Sequence, residues 1–349
     1  MSAPSTISVT VPATTANLGC AFDCAAIAVS LHLRVDAAPF TGVVKGADFS
    51  EGLGAPPFVS KGGDFSVTYR GPNANIIPLD SSNLIIKSMQ HYATRAQKTL
   101  PGTRLDIDNE IPLGIGLGSS AAAIIAGIVL GAELCGAKLG AAETLRLALE
   151  IEGHPDNLAA AVHGGMVVSA IAESAPGLPA VAGAVSQDVL VLKTEVSQQL
   201  DFVCVVPDVP LPTEKARAVL PAQYSRQDVV ANLQRTALLA AAFFSGFSEK
   251  TLSPEMFRDK LHQPYRAPLI PGISQCLEYR HEGLAGIFLS GAGSAVMAIA
   301  TRNAQQIGDA LVAEFRRAGT PARALLLKAD NRGVQFGSHR RVPHPLPPL

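Results

Sequence analysis

Apolar and polar residues alternate, or recur at helical spacing, along most of the chain, and these patterns predict its strands and helices. Ile7–Val11 alternates as a strand does, and Pro12 is predicted to end that strand. Further strands are predicted at 31–35, 65–69, 104–109, 166–171, 202–206, 286–289, 295–300 and 322–328, and helices at 84–97, 121–135, 141–150, 158–163, 213–219, 227–244, 254–261 and 303–318. The pattern therefore predicts strands and helices interspersed along the chain.

Stretches of biased composition interrupt these elements. Residues 172–187 are rich in Gly, Ala and Pro and are predicted to separate two parts of the chain, residues 1–180 and 181–341. The segment 40–63 is rich in Gly and Pro, and we predict a loop or excursion there without assigning it a role. The tail, 342–349, is proline-rich and is predicted to be disordered.

The composition limits the classes of partner and environment. Hydrophobic residues make up 48% of the sequence and charged residues 16%, which predicts a large buried core rather than disorder. The formal net charge is −1, so neither nucleic acid nor a membrane surface is expected as a partner. The five cysteines are scattered, no signal peptide is apparent and no apolar stretch is long enough to span a membrane. We therefore expect reduced thiols in a cytoplasmic protein.

The segment Pro112–Ala122, which reads Pro-Leu-Gly-Ile-Gly-Leu-Gly-Ser-Ser-Ala-Ala, precedes the strongest predicted helix. Backbone N–H groups at a helix N-terminus bind phosphate, and glycine lets the main chain approach the ligand. The segment lacks the Gly-Lys-Ser/Thr of a P-loop and the glycine spacing of a dinucleotide site. The alternative is a tight strand-to-helix connection made of small residues. The length of the segment and the hydroxyls of Ser119 and Ser120 favour a phosphate site.

Three segments, in the same order along the chain, resemble the sequence motifs of the GHMP kinases, a family of small-molecule kinases. Pro112–Ala122 resembles the second motif, and Pro12–Gly19, with Asp23 shortly after it, resembles the first. Leu289–Val296 resembles the third, with Ser294 where proline is common. The resemblance implies an α+β fold with two lobes: an N-terminal lobe that carries the glycine-rich phosphate loop and binds ATP, and a C-terminal ferredoxin-like lobe.

Three other segments resemble the branch of that family that phosphorylates L-homoserine. They are Glu152–Asn157, Pro212–Arg217 and His262–Arg266, the last followed by Leu269–Gly272. This resemblance implies transfer of a phosphoryl group from ATP to the L-homoserine hydroxyl, which gives O-phospho-L-homoserine for threonine biosynthesis. It also implies a homodimer. The alternatives are a kinase of the same family that acts on mevalonate or a sugar, and a non-catalytic protein that binds nucleotide or amino acid.

The resemblance also implies which residues bind ATP and Mg²⁺. Magnesium prefers oxygen ligands, and Ser120 with Glu152 is the expected pair, with Glu150 as the alternative carboxylate. Asn83 is expected to contact the adenine base, and the alternative role for it is a helix cap. The residues expected to contact ATP are Asn83, Pro112, Leu113, Gly114, Ile115, Gly116, Leu117, Gly118, Ser119, Ser120, Ala121 and Ala122.

L-Homoserine carries a carboxylate, an ammonium and a hydroxyl, and the resemblance implies side chains for each. Arg217 and Arg266 suit the carboxylate because guanidinium offers two donors in a fixed fork, and Asp23 suits the ammonium. Asp156 is interpreted as a helix cap, so we expect catalysis without a dedicated strong base. The residues expected to orient the substrate chain and hydroxyl are Asn17, His154 and Asn157. The expected catalytic residues are Asn17, Ser120 and Glu152.

Overall fold

The structure of the protein is a computed structural model that describes residues 6–40, 58–59, 65–172, 189–246 and 251–337. The predicted disordered tail, most of the predicted excursion and most of the predicted boundary segment lie outside the described residues.

Strands and helices are interspersed along the chain, as the sequence pattern predicts. The strands are β1 (Ile7–Ala16), β2 (Ala25–Pro39), β3 (Phe58–Val59), β4 (Phe65–Arg70), β5 (Thr103–Asn109), β6 (Met166–Ile171), β7 (Val189–Thr194), β8 (Asp201–Pro207), β9 (Leu284–Leu289), β10 (Val296–Ala300), β11 (Ala322–Leu327) and β12 (Gln335–Phe336). The helices are α1 (Leu84–Arg95), α2 (Ser119–Leu134), α3 (Ala141–Glu152), α4 (Pro155–His163), α5 (Thr213–Ala218), α6 (Arg226–Phe244), α7 (Gln263–Arg266), α8 (Ile273–Leu277) and α9 (Ala304–Arg317). Short 3₁₀ turns lie at Pro254–Phe257 and Ala267–Leu269. Within the described ranges, no helix is both long and apolar enough to cross a membrane.

The larger sheet is built around β1 and β2. Its order is β12-β1-β2-β5-β4-β3, while β6 pairs with the first residues of β2 and β7 pairs with β6. β1 continues past Pro12, so the prediction that this proline ends the strand is wrong. The register shifts between Pro12 and Ala13, and a bulge there accommodates a residue that has no N–H to donate. The continuation brings Thr14 to the glycine loop, where its N–H donates to the carbonyl oxygen of Leu117 over 3.1 Å.

Helix α2 lies at the centre of the first lobe and is buried along most of its length. Gly127 and Gly131 face α1, because a Cβ at either position would meet the main chain of that helix, at Ile85 and Met89 respectively. The two helix backbones can therefore approach closely. This packing holds α2 in place. The first residue of the helix, Ser119, comes directly after the glycine loop.

The smaller sheet has the order β11-β8-β10-β9, and all its neighbouring strands are antiparallel. This is the strand order of a ferredoxin-like fold. Helix α9 packs on the sheet through Ile307, Leu311 and Phe315, which are fully buried. The predicted α+β fold with two lobes and a C-terminal ferredoxin-like lobe is therefore confirmed.

The sheets do not divide the chain at the predicted position between residues 180 and 181. β7 and β12 both follow that position, yet β7 pairs with β6 and β12 pairs with β1 in the larger sheet. The first lobe therefore contains β7, which precedes the strands of the smaller sheet, and β12, which follows them.

The prediction of a helix at 254–261 is wrong. Only Pro254–Phe257 forms a 3₁₀ turn, and the backbone is extended at Arg258. The side chain of Asp259 then accepts hydrogen bonds from the backbone N–H groups of residues 261–263. These bonds start a new turn, which leads into α7 and changes the direction of the chain.

Candidate active site

The glycine-rich segment turns sharply between β5 and α2. Gly114, Gly116 and Gly118 have φ angles of +68°, +85° and +64°, a left-handed conformation that favours glycine. A Cβ on Gly118 would collide with the hydroxyl of Thr14, and a Cβ on Gly116 would collide with the carbonyl oxygen of Ser290. The glycines therefore let β1 and the third motif pack directly against the loop.

Hydrogen bonds join the three motif segments at this loop. Ser290 Oγ donates to the carbonyl oxygen of Gly116 over 2.7 Å and lies 2.8 Å from Thr15 Oγ1. The N–H of Gly291 donates to the carbonyl oxygen of Ala16 over 3.1 Å. Segments of both lobes thus form one wall of a cavity of about 220 Å³.

Asn17 follows β1 and connects the lobes through its side-chain amide. Its Nδ2 donates to the carbonyl oxygen of Gly291 over 2.8 Å, and its Oδ1 accepts the N–H of Asp23 over 3.0 Å. An amide oxygen accepts two hydrogen bonds, so Asn17 Oδ1 retains capacity for a ligand. The residue therefore holds Asp23 in the wall of the cavity.

Ser120 and Glu152 meet at the N-terminus of α2. Ser120 Oγ donates to Glu152 Oε2 over 2.7 Å. Burial raises the pKa of Glu152, while the Ser120 hydroxyl and the nearby charge of Arg217 oppose that shift. One carboxylate and one hydroxyl are thus held together where a phosphate would meet the helix.

Glu150, the alternative carboxylate, lies in a different environment. Its side chain lies 3.0 Å from His91 Nε2 and forms ion pairs with Arg95 at 3.2 Å and Arg146 at 3.3 Å. It does not line the cavity. The geometry therefore brings Glu152, and not Glu150, to Ser120.

Asp23 and Arg217 form a bidentate ion pair inside the cavity. Arg217 Nη2 lies 2.9 Å from Asp23 Oδ1, and Nη1 lies 3.2 Å from Oδ2. Arg217 Nε is buried and has no hydrogen-bond partner in the described part of the chain. His154 Nδ1 lies 3.9 Å from Asp23 Oδ2, and burial and the charge of Arg217 hold the pKa of His154 below its usual value. Positive and negative groups therefore adjoin in the cavity, and one guanidinium donor is left unpaired.

Arg266 is almost fully buried, with 1% of its surface exposed. Its Nε donates to the carbonyl oxygen of Ala216 over 3.0 Å, and its Nη1 lies 3.3 Å from the carbonyl oxygen of Gly291. Burial and the charge of Arg217 lower the pKa of Arg266 to about 10. The side chain therefore stays charged at neutral pH and contributes a fixed positive charge to the cavity.

The residues Asp156 and Asn157 lie in the first turn of α4. Asp156 is 2% exposed and lines the cavity, and its Oδ1 accepts the N–H of Asn157 over 2.7 Å. Burial raises the pKa of Asp156 to about 7; the Asn157 N–H opposes the shift, and the charges of Asp23 and Glu152 add to it. Asn157 Oδ1 accepts the hydroxyl of Thr14 over 2.7 Å. The carboxyl of Asp156 thus lines the cavity in addition to its contact within the helix.

Most of the predicted site residues come together. Those that line the cavity are Asn17, Asp23, Pro112, Gly114, Gly116, Leu117, Gly118, Ser119, Ser120, Glu152, His154, Asn157, Arg217 and Arg266. Those that do not are Asn83, Leu113, Ile115, Ala121 and Ala122. Sequence reasoning missed five lining residues: Asp156, Thr213, Gly291, Ala292 and Gly293. Asp156 lies between His154 and Asn157 in a matched segment, and that position was the available signal for it.

Asn83 is used in capping. Its Oδ1 accepts the N–H of Ile85 over 2.9 Å at the start of α1, and its Nδ2 donates to the carbonyl oxygen of Pro78 over 2.7 Å. The side chain is 5% exposed. The structure therefore gives it the alternative role of a helix cap and does not bring it to the cavity.

A second cavity, of about 500 Å³, is lined in part by Gln263 and Pro264 of α7. Arg235, Arg258 and Arg280 line it, but they are engaged with Glu255 and Glu278. The smaller cavity has the glycine loop and the unpaired arginine donor, so it is the candidate active site.

Comparison with known proteins identifies the family. Residues 83–165 match the family described as GHMP kinases N terminal domain, and residues 239–317 match GHMP kinases C terminal. The homoserine kinase of Solibacter usitatus is 36% identical over 93% of this chain and 95% of that protein. The homoserine kinase of Deinococcus radiodurans is 38% identical over 85% of this chain and 85% of that protein.

A solved structure has the same fold. The crystal structure of homoserine kinase from Cytophaga hutchinsonii has a TM-score of 0.73 and 24% identity, and the match covers 96% of this chain and 98% of that one. With the sequence relatives covering nearly its whole length, this chain belongs to the homoserine kinases of the GHMP kinase family.

Proposed function

We propose that the protein is a homoserine kinase, which transfers a phosphoryl group from ATP to the hydroxyl of L-homoserine and forms O-phospho-L-homoserine in threonine biosynthesis. One observation carries the proposal: Asp23, Arg217 and Arg266 line the same cavity as the glycine loop. An α-amino acid zwitterion needs both signs of charge beside the phosphate site. Mevalonate and galactose carry no ammonium, so neither offers a cationic group to Asp23.

The glycine loop is proposed to hold the ATP phosphates. Gly118 precedes the first residue of α2, and Gly118, Ser119 and Ser120 line the cavity. The N–H groups of a first helical turn and the positive end of the helix dipole favour a bound phosphate there. Phosphoryl transfer depends mainly on in-line positioning and on stabilising charge, and a loop of this kind supplies both.

Ser120 and Glu152 would hold Mg²⁺ with the nucleotide. Their oxygens, 2.7 Å apart, are the hard donors that magnesium prefers, and phosphate oxygens and water would complete the coordination. The ion would neutralise charge on the phosphate groups during transfer. Burial raises the pKa of Glu152, so a cation at its oxygens would stabilise the ionised carboxylate.

The substrate is proposed to bind between Arg217, Arg266 and Asp23. The unpaired Nε of Arg217 and the fixed guanidinium of Arg266 offer donors to its carboxylate. Asp23, with Asn17 Oδ1 beside it, would accept from the ammonium. His154 and Asn157 also line the cavity, His154 beside Asp23 and Asn157 beside Gly118 of the loop, and they would orient the hydroxyl.

Three broader expectations accompany the function. We propose a homodimer, as the family resemblance implies, and sedimentation equilibrium tests it. We propose a cytoplasmic location, supported by the five free cysteines. We also propose that residues 1–180 form mainly the ATP-binding lobe and residues 181–341 mainly the ferredoxin-like lobe.

A coupled assay of ADP release against L-homoserine, mevalonate and galactose tests the function. We expect turnover of L-homoserine far above that of the other two compounds. Preferred turnover of mevalonate or galactose would refute the proposal. Binding of ATP and homoserine without ADP formation would instead support a non-catalytic binding protein.

A further inference from the structure

His262 belongs to a segment that resembles the family, yet the proposed reaction assigns it no role. It is fully buried, does not line the cavity and lies next to a residue that does. Its Nδ1 is 3.3 Å from Nη1 of Arg266, and its Nε2 is 2.7 Å from the carbonyl oxygen of Gly19. The ring thus bridges the first motif and a proposed carboxylate-binding arginine.

These partners determine the tautomer of His262. An arginine side chain has only donors, so Nδ1 must accept from Arg266 and cannot carry a proton. A carbonyl oxygen only accepts, so Nε2 must carry the proton that goes to Gly19. Burial and the charge of Arg266 hold the pKa of His262 below its usual value, although Asp259 opposes the shift. The neutral ring with a proton on Nε2 is therefore the state that satisfies both contacts.

The surroundings of His262 fix the ring in place. It stacks on Phe22 with ring centroids 5.1 Å apart, and the guanidinium carbon of Arg266 lies 5.2 Å from the centre of the same Phe22 ring. Asp259 accepts the backbone N–H of His262 over 2.8 Å. With the backbone and one ring face constrained, and with Nε2 bound to Gly19, the direction of the Nδ1 lone pair is constrained too.

Arg266 needs such an acceptor. Its other hydrogen bonds in the described structure go to the main-chain oxygens of Ala216 and Gly291. His262 Nδ1 and the carbonyl oxygen of Gly291 take the N–H groups of Nη1, and the carbonyl oxygen of Ala216 takes that of Nε, which limits rotation of the guanidinium plane. The N–H groups of Nη2 remain for a carboxylate, and their direction depends on the orientation of that plane.

We propose that His262, as the neutral tautomer with a proton on Nε2, is a positioning residue that orients Arg266 toward the carboxylate of the substrate. The inference rests on the proposed function, because it takes Arg266 as a ligand of homoserine. His262 itself does not touch the substrate.

A matched pair of variants tests this role. In His262→Asn the amide oxygen can take the position of Nδ1 and accept from Arg266, whereas in His262→Gln the amide nitrogen can take the position of Nε2 and donate to Gly19. Both variants lose the ring stack on Phe22. We expect His262→Gln to raise the KM for homoserine roughly tenfold or more, the scale of a lost hydrogen bond to a charged group, with the KM for ATP and kcat little changed.

His262→Asn should recover most of that loss while showing a similar drop in Tm. A KM for homoserine that rises equally in both variants, or in neither, would overturn the proposal. If the variants do not fold, the side-chain ¹⁵N shifts of His262 in the wild-type protein decide the point. A bare Nδ1 and a protonated Nε2 are expected, and a proton on Nδ1 would contradict the inference. Failure of the wild-type protein to turn over homoserine would refute the proposed function instead.

Discussion

Arg217 is held by Asp23 through two hydrogen bonds of 2.9 and 3.2 Å, so the side chains expected to bind the carboxylate and the ammonium of one substrate pair with each other. A zwitterion can exchange these contacts one for one, its carboxylate replacing Asp23 and its ammonium replacing Arg217. A simple anion would take Arg217 and leave Asp23 without a partner, which costs the desolvation energy of that carboxylate. The pair thereby favours an amino acid over an anion of similar size.

Arg217→Lys should weaken homoserine binding. Lysine keeps the charge but loses the planar fork, so it cannot make the bidentate contact. We expect the KM for homoserine to rise roughly tenfold or more, with the KM for ATP unchanged. Arg323→Lys is the matched control, because Arg323 forms a surface ion pair with Asp208 at 3.8 Å. An effect of Arg217→Lys no larger than that of the control would argue against the assignment.

Glu152→Gln should impair the use of Mg-ATP. The amide cannot supply the negative charge expected beside the ion, so kcat should fall at least about a hundredfold and the Mg²⁺ concentration for half-maximal rate should rise. Glu150→Gln is the control, because Glu150 pairs with basic side chains outside the cavity. Titration of the initial rate with Mg²⁺ measures both variants. A larger loss in Glu150→Gln would reverse the assignment.

Gly118→Ala should damage the phosphate loop more than left-handed strain alone explains. The new Cβ would collide with Thr14 Oγ1 in addition to adopting a φ of +64°. Gly136→Ala is the control, since Gly136 has a φ of +77° and nothing within 4 Å of a Cβ. The control should lose about 1–2 kcal/mol of unfolding free energy, and Gly118→Ala should lose more and also raise the KM for ATP. Urea denaturation measures the unfolding free energy, and initial rates measure the KM for ATP. Equal losses of unfolding free energy in the two variants would show that the structure adjusts to relieve the collision with Thr14.

The sequence was informative about local elements and about the motifs, and less so about contacts between distant segments. The helix after the glycine loop and the strand at Met166–Ile171 follow from local patterns and are found in the structure. The extension of β1 past Pro12 depends on a bulge against β2, and no local propensity indicates it. The choice between Glu150 and Glu152 depends on which face of α3 turns toward Ser120, and two positions on a helix differ by a wide angle.

Stability should depend on pH through His32. Its Nε2 lies 2.9 Å from Asp330 Oδ2 and its Nδ1 lies 3.6 Å from Glu110 Oε2. Burial opposes the charged ring, but the two carboxylates outweigh it and raise the pKa of His32, while the pKa values of Glu110 and Asp330 are lowered. A raised pKa stabilises the fold below the unfolded value of about 6.5, and this stabilisation is lost as pH rises through the folded value.

His32→Gln measures that contribution. The difference in unfolding free energy between wild type and variant should be largest near about pH 6, where the ring is charged and the carboxylates remain ionised, and should shrink as pH rises through the raised pKa of the folded state. Urea titrations at a series of pH values give the difference directly. A difference that grows with rising pH would have the wrong sign and would contradict the ion-pair assignment.

Asp156→Asn decides whether the reaction uses a strong base. We expect kcat to fall by less than about 10³, because phosphoryl transfer of this kind can proceed with late loss of the hydroxyl proton. A pH profile can decide the point, because Asp156 lines the cavity and burial raises its pKa to about 7. A base must be ionised, so if Asp156 removes the proton, kcat should rise with pH through an apparent pKa near 7 and the variant should lose that rise. A fall of 10³ or more together with a flattened profile would assign Asp156 as the base.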